Sequence, residues 1–168
     1  MAAFLELDSV DKTFDGTVEA LQNVSFSVAR GSVHALIGEN GAGKSTLAGI
    51  LAGHYGFDGG SIRLAGAPYR PRSPRDAAAR GVGLVHQHFM LFPSLTVAEN
   101  VVLGSEPLRR CTVDRKRAQR EVAELGARYG LEVDPRRLVG DPSLGERQQV
   151  EILKALHLAV ELAIFDEP

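Results

Sequence analysis

The chain has 168 residues, of which 44% are hydrophobic, and its 19 Lys and Arg residues against 21 Asp and Glu residues give a formal net charge of −2. This length suffices for one hydrophobic core, so one domain with an inserted lobe is expected. The charge balance excludes the basic surface typical of proteins that bind nucleic acid. A single cysteine, Cys111, excludes an internal disulfide and fits a reducing cytosol. The N-terminus lacks the pattern of a signal peptide, and charged residues break the most apolar stretch, 152–165, so no membrane span is expected.

The first 64 residues contain short runs in which apolar and polar side chains alternate. This period of two predicts strands over 4–10, 24–28 and 61–64. A turn-forming pair follows each of the first two runs: Asp15-Gly16 after the first and Arg30-Gly31 after the second. The pattern therefore predicts short strands joined by tight turns.

Residues 38–45 form a complete G-x-x-x-x-G-K-S loop between an apolar run at 33–37, predicted as a strand, and a helix-like run at 46–51. Glycines allow consecutive backbone N–H groups to converge on one anion, and the following helix directs the positive end of its dipole there. Lys44 adds a full charge for the β and γ phosphates of a nucleotide, and the Ser45 hydroxyl is suited to ligate Mg²⁺. The predicted phosphate-binding residues are Gly38, Glu39, Asn40, Gly41, Ala42, Gly43, Lys44, Ser45 and Thr46. The alternative, a glycine-rich turn that carries a lysine by chance, is disfavoured because the pattern and both flanks agree.

The middle of the chain carries helix start and stop signals. Ser73 and Pro74 predict the beginning of a short helix that Gly81 ends. Residues 96–99, Thr-Val-Ala-Glu, form a capping box that opens the next helix. The stretch 114–129 has helical periodicity, with one face formed by Val122, Leu125 and Tyr129.

The C-terminal part adds two strand-like runs and a capped helix. The run 83–88 predicts a buried strand that ends near Gln87, and Ser143 with Glu146 predicts a helix running to about 159. The run 161–165 predicts a strand, and Asp166 and Glu167 follow it directly. In phosphate-loop enzymes an acid at the end of a neighbouring strand holds the water shell of Mg²⁺, and a carboxylate after it can act as general base. A solvated loop start would explain the Asp-Glu pair alone, but not its position after an upstream phosphate loop.

The order of these segments resembles the ATP-binding subunits of ABC transporters over essentially all 168 residues. Residues 38–45 match Walker A, Gln87 the Q-loop, 141–151 the LSGGQ-like signature and 161–167 Walker B. Finer details at 86–90, 94–100 and 150–156 are similar to the bacterial simple-sugar and nucleoside importers. The resemblance implies an α/β fold of the ABC-type P-loop NTPases, truncated at the C-terminus. It divides into an antiparallel β-subdomain with the Walker A core at 1–86, an inserted helical subdomain at 87–140, and the signature helix with the Walker B strand at 141–168.

The resemblance also implies site roles. Phe14 occupies the aromatic position that stacks on adenine, although a core phenylalanine at a strand end is the alternative. Gln87 is expected to contact Mg²⁺ and the γ-phosphate and to couple them to the helical subdomain, Asp166 to bind Mg²⁺, and Glu167 to activate water.

At the signature, the resemblance implies that Ser143 and the Gly145 N–H bind a γ-phosphate held by an opposing protomer. The helix cap formed by the same serine need not exclude this role. The sequence departs from the family pattern at Pro142, Leu144 and Glu146. A carboxylate at position 146 is unfavourable beside a triphosphate unless it folds back to cap the helix.

The function implied is an ATP-hydrolysing subunit that energises import of nucleosides or simple sugars, with ATP and Mg²⁺ as cofactors. Its implied partners are a permease, a second ABC cassette and an extracytoplasmic substrate-binding protein, at the cytoplasmic face of the membrane. The resemblance implies that the apolar stretch 89–93 receives a permease helix, and packing within the core of the helical subdomain itself is the alternative. Because no D-loop or switch histidine follows Walker B, the chain is expected to be an N-terminal fragment with little turnover by itself. The alternatives are a non-transport ABC ATPase and a module that binds ATP without hydrolysing it.

Overall fold

The computed structural model describes residues 3–85, 91–109, 112–140, 143–158 and 160–166. The chain divides into two compact units, Met1–Arg80 and Gly81–Pro168.

The first unit is built on a four-stranded antiparallel sheet with the order β2-β1-β3-β4. The strands are β1 (Ala3–Phe14), β2 (Val18–Ala29), β3 (Gly59–Leu64) and β4 (Ala67–Pro68). The β1–β2 turn has positive φ at both central residues, 51° at Asp15 and 69° at Gly16, and Thr17 N–H donates to the Phe14 carbonyl at 3.1 Å. Asp-Gly tolerates this left-handed geometry, which matches the twist of paired strands. The predicted strands and the predicted turn at Asp15-Gly16 are therefore confirmed.

Two helices complete the first unit, α1 (Lys44–Leu51) and α2 (Pro74–Ala79). Every residue of α1 from Leu47 to Leu51 is buried. The Tyr69 hydroxyl, also buried, donates to the Leu51 carbonyl at 2.6 Å and so satisfies one oxygen at the end of α1. Burial raises the pKa of Tyr69 to about 12, which keeps the phenol protonated as a donor.

The strand predicted at 33–37 is wrong. Residues 33–40 form no ladder with any residue that the structure describes, and Ile37 is 94% exposed. An apolar run becomes a strand only when neighbouring backbone pairs with it. Among the described residues that neighbour is missing, so the apolar pattern alone does not produce the strand.

The second unit combines a parallel strand pair with three helices. Strand β5 (Val82–Val85) pairs in parallel with β8 (Leu162–Phe165), from Val82 beside Leu162 to Val85 beside Phe165. Between them lie α3 (Val97–Val102), a small hairpin of β6 (Leu108–Arg109) and β7 (Thr112–Val113), α4 (Arg115–Tyr129) and α5 (Leu144–His157). A buried apolar cluster joins the three helices, with Val97, Val101, Val102, Ala118, Val122, Val150 and Leu153 at its centre. Among the described residues, no helix is both long enough and apolar enough to cross a membrane.

The predicted helix starts are confirmed. The Ser73 side chain accepts from the Asp76 N–H at the start of α2, and complete capping boxes open α3 at Thr96 and α5 at Ser143. The predicted face of α4 is only partly buried, because Val122 is fully inside and Leu125 partly, whereas Tyr129 at the helix end is 52% exposed.

Candidate functional site

The loop of residues 38–43 leads directly into α1 and has the backbone that its glycines predict. Gly41 and Gly43 have φ of 85° and 84°, in the left-handed region that glycine adopts without strain. The Ala42 N–H donates to the Glu39 carbonyl at 3.1 Å, and the Leu47 N–H donates to the Gly43 carbonyl at 2.9 Å. The loop is thus a tight turn that becomes a helix at Lys44.

Gly43 has a second reason to lack a side chain. A Cβ at this position would lie 2.3 Å from the Ala20 carbonyl oxygen and 2.7 Å from Leu21 Cδ2, both on β2. The first of these contacts is with backbone, which cannot move aside cheaply. The end of the loop is therefore held closely against the sheet, and this fixes where α1 begins.

The N-terminus of α1 differs from those of the other helices. The other four helices, α2 to α5, are each capped by a side chain, in order Ser73, Thr96, Asp114 and Ser143. By contrast, α1 follows a glycine, and among the described residues no side chain caps it. Its first turn carries no acidic residue. The first-turn amides at Lys44, Ser45 and Thr46 therefore combine with the helix dipole to favour an anion.

Lys44 supplies the charge that the loop predicts. Its ammonium donates to the Gly38 carbonyl at 2.8 Å and to the Glu39 carbonyl at 2.9 Å, so the side chain folds back across the loop. Neutral carbonyl partners leave the full positive charge of the ammonium at the loop, where it can attract phosphate oxygens.

Phe14 ends β1 and is partly exposed, among polar and aromatic side chains. Its ring meets the Tyr55 ring edge-on, with centroids 5.3 Å apart and planes at 83°. The Lys12 ammonium lies over the Phe14 ring, 5.2 Å from its centroid, and forms a 3.0 Å ion pair with Asp58. These neighbours of Phe14 were not predicted from the sequence. The only signal for them was the spacing that places Lys12 and Phe14 on one face of β1.

In the second unit, the strands that precede Gln87 and Glu167 end side by side. The Asp166 N–H donates to the Val85 carbonyl at 3.1 Å, so Asp166 lies at the carboxyl end of the β5–β8 pair. Gln87 and Glu167 themselves lie outside the described residues, as do all of 86–90 from the predicted Q-loop and 141–142 from the predicted signature.

Glu146 caps α5, as expected for a carboxylate that folds back. It accepts from the Ser143 N–H at 2.7 Å and from the Arg137 guanidinium at 2.8 Å. The hydrogen bond from the Ser143 N–H is the main reason why the pKa of the Glu146 carboxyl is lowered. The Ser143 hydroxyl and the positive charge of Arg137 lower it further. The carboxylate is therefore held by the helix cap, and only its contact with Arg137 was not predicted from the sequence. Ser143 and Gly145 are exposed at this helix start.

The predicted site residues fall into both units. The phosphate loop and Phe14 belong to the first unit, whereas Asp166, Ser143 and Gly145 belong to the second.

Comparison with known proteins decides the family. The family model described as "ABC transporter" matches residues 21–168. The chain belongs to this family. The predicted fold class is confirmed by a crystal structure of a nucleotide-free ATP-binding cassette from an ABC transporter, with a TM-score of 0.84 and 26% identity over 98% of this chain and 69% of that one. A structure from Clostridium perfringens, part of the ABC transporter complex CbiONQ, superposes with a TM-score of 0.81 at 24% identity, over 100% of this chain and 66% of that one, which shows the fold alone.

Curated relatives confirm the resemblance to the sugar and nucleoside branch of the ABC family. The chain is 46% identical over its whole length to a guanosine import ATP-binding protein of Bacillus subtilis and covers 33% of that protein. It is 48% identical to an arabinose import ATP-binding protein of Rhizobium meliloti, over 100% of this chain and 33% of the relative. A ribose import ATP-binding protein of Rubrobacter xylanophilus is also 48% identical, over 100% of this chain and 34% of the relative. The chain thus spans about a third of the length of these relatives.

Proposed function

We propose that the loop at 38–46 binds the phosphates of ATP, and that the intact protein uses this ATP to energise import of a nucleoside or simple sugar. The observation that carries the proposal is the loop itself. It has two left-handed glycines, a helix that begins at Lys44 without a side-chain cap, and a lysine ammonium held at its mouth. These features together make an anion site suited to a polyphosphate.

The other proposed roles rest on membership of the ABC family. The Ser45 hydroxyl and the Asp166 carboxylate are proposed to bind Mg²⁺ and its water shell, with Gln87 as a further contact. Mg²⁺ supplies charge neutralisation on the β and γ phosphates. Glu167 is proposed to orient and deprotonate the attacking water, and Phe14 to stack on the adenine.

Catalysis is proposed to need a second cassette, because Ser143 and the Gly145 N–H are expected to contact the γ-phosphate of an opposing protomer. Exposure of both residues at the start of α5 supports this. The capping role of Glu146 removes the objection that its charge would face a triphosphate directly, since its oxygens are held by Ser143 and Arg137.

A permease and an extracytoplasmic substrate-binding protein are the proposed partners, with the chain at the cytoplasmic face of the membrane. Support comes from the curated relatives, whose names describe them as import ATP-binding proteins for guanosine, arabinose and ribose. Pull-down of membrane subunits from cells that express the full-length protein tests this part. Recovery of only soluble partners would favour a non-transport ABC ATPase.

Lys44→Ala tests the phosphate site. Loss of a charge-assisted hydrogen bond to phosphate costs about 2–3 kcal/mol, so Mg-ATP affinity should fall roughly a hundredfold in a calorimetric titration. The matched control is Lys116→Ala, at an exposed position on α4 in the other unit, which should leave the affinity unchanged. Equal ATP affinity in wild type and Lys44→Ala would contradict the proposed site.

A further inference from the structure

Tyr55 lies between the phosphate-binding helix and the proposed adenine platform. On one side its ring is packed against Gly49 of α1, and on the other it meets the Phe14 ring at 5.3 Å, close to a right angle. The backbone holds Tyr55 there, because its N–H and that of His54 both point to the Gly49 carbonyl, at 3.4 and 2.8 Å.

Gly49 makes room for the Tyr55 ring. A Cβ on Gly49 would lie 2.7 Å from both Cδ2 and Cε2 of Tyr55, closer than atoms can pack. Glycine inside a helix is disfavoured by about 1 kcal/mol relative to alanine, so its presence in the middle of α1 calls for a packing reason. The aromatic ring of Tyr55 supplies that reason.

Asp58 holds the end of β1 through contacts that do not involve Tyr55. Asp58 accepts from the Thr13 N–H at 2.8 Å and from the Lys12 ammonium at 3.0 Å, and that ammonium lies over the Phe14 ring. These contacts set the Phe14 backbone. The Phe14 ring itself meets both the Lys12 ammonium and the Tyr55 ring, and the edge-to-face contact with Tyr55 favours a defined angle between the two rings.

We propose that Tyr55 is a positioning residue for the nucleotide base: it orients the Phe14 ring for stacking and couples that orientation to α1. The inference rests on the proposed ATP site. It assigns Tyr55 no contact with phosphate, so its effect should be confined to ligands that carry a base. Because Tyr55 is itself 46% exposed, its removal should disturb the core little.

The experiment measures the affinities of ATP and of inorganic tripolyphosphate for the 168-residue chain and its variants. Tyr55→Ala should weaken ATP roughly five- to tenfold, the range that an oriented aromatic pair provides, while tripolyphosphate affinity stays within about twofold. Tyr55→Phe keeps the ring and should bind ATP as wild type does. Tyr129→Ala removes a similarly exposed tyrosine, 52% exposed at the end of α4, and serves as the control.

Two further variants separate positioning from a merely structural effect. Gly49→Ala favours the helix intrinsically, yet it should displace Tyr55 and lower ATP affinity in the same selective way. In a Phe14→Ala background, neither Tyr55→Ala nor Gly49→Ala should lower ATP affinity further, because the ring they orient is gone.

The outcomes distinguish this inference from the proposed function. Three results would overturn the positioning role and leave the proposed phosphate site standing. They are an equal loss of ATP and tripolyphosphate affinity in Tyr55→Ala, weakened ATP binding by Tyr55→Phe, and losses that add to that of Phe14→Ala. Failure of the wild-type chain to bind either ligand would overturn the proposed phosphate site and, with it, this inference.

Discussion

Asn100 holds the segment that leads from residue 91 into α3, and its replacement by alanine should strongly destabilise the second unit. The side chain is fully buried. Its Oδ1 accepts from the Phe92 N–H at 2.8 Å, and its amide nitrogen lies 3.1 Å from the Phe92 carbonyl, 3.3 Å from that of Leu95 and 3.0 Å from that of Thr96.

The magnitude follows from these contacts. An amide group has two hydrogens, so the three carbonyl contacts share two donors, and with the Oδ1 contact Asn100 makes the equivalent of three hydrogen bonds. At about 1 kcal/mol each, Asn100→Ala should lower the free energy of unfolding by about 3 kcal/mol. With a urea dependence of about 2 kcal/mol per molar, the unfolding midpoint should fall by roughly 1.5 M.

Urea unfolding, monitored by circular dichroism, measures the midpoint. Hydrogen exchange of the Phe92 amide reports the local effect, because that N–H loses its acceptor in Asn100→Ala. Lys116→Ala is the control, because surface substitutions usually change stability by less than about 0.5 kcal/mol. A midpoint for Asn100→Ala within about 0.3 M of wild type, with Phe92 still protected, would refute the claim that this side chain holds the segment.

Two further predictions concern the phosphate loop and the signature helix. Gly43→Ala places a Cβ 2.3 Å from the Ala20 carbonyl oxygen at a φ of 84°. ATP binding should therefore be lost in a titration, and the melting temperature should fall. Gly16→Ala is the control for the steric clash, because Gly16 has a φ of 69° but open space around it. The pKa of Glu146 is lowered from 4.5 by its hydrogen bonds from Ser143, so its contribution to stability is present above the unfolded-state pKa and is lost as pH falls through the folded-state pKa. Glu146→Gln should therefore reduce the loss of thermal stability below about pH 4.5, and an unchanged pH profile would exclude this contribution.

Local features of this fold were predictable because neighbouring residues alone determine them. The Asp15-Gly16 turn, the serine and threonine caps of α2, α3 and α5, and the backbone of the Gly41–Gly43 loop need only side chains within a few positions. The family could likewise be predicted, because motif order and spacing are properties of the sequence itself.

Contacts that join distant segments were decided only by the tertiary structure. The apolar run at 33–37 lacks a paired neighbour among the described residues, so its pattern did not suffice for a strand. The Phe14 ring meets Tyr55, 41 positions later in the sequence, because β1 and the residues after α1 pack together. No local periodicity encodes that approach, since packing brings the two rings together only after the sheet and helix have formed.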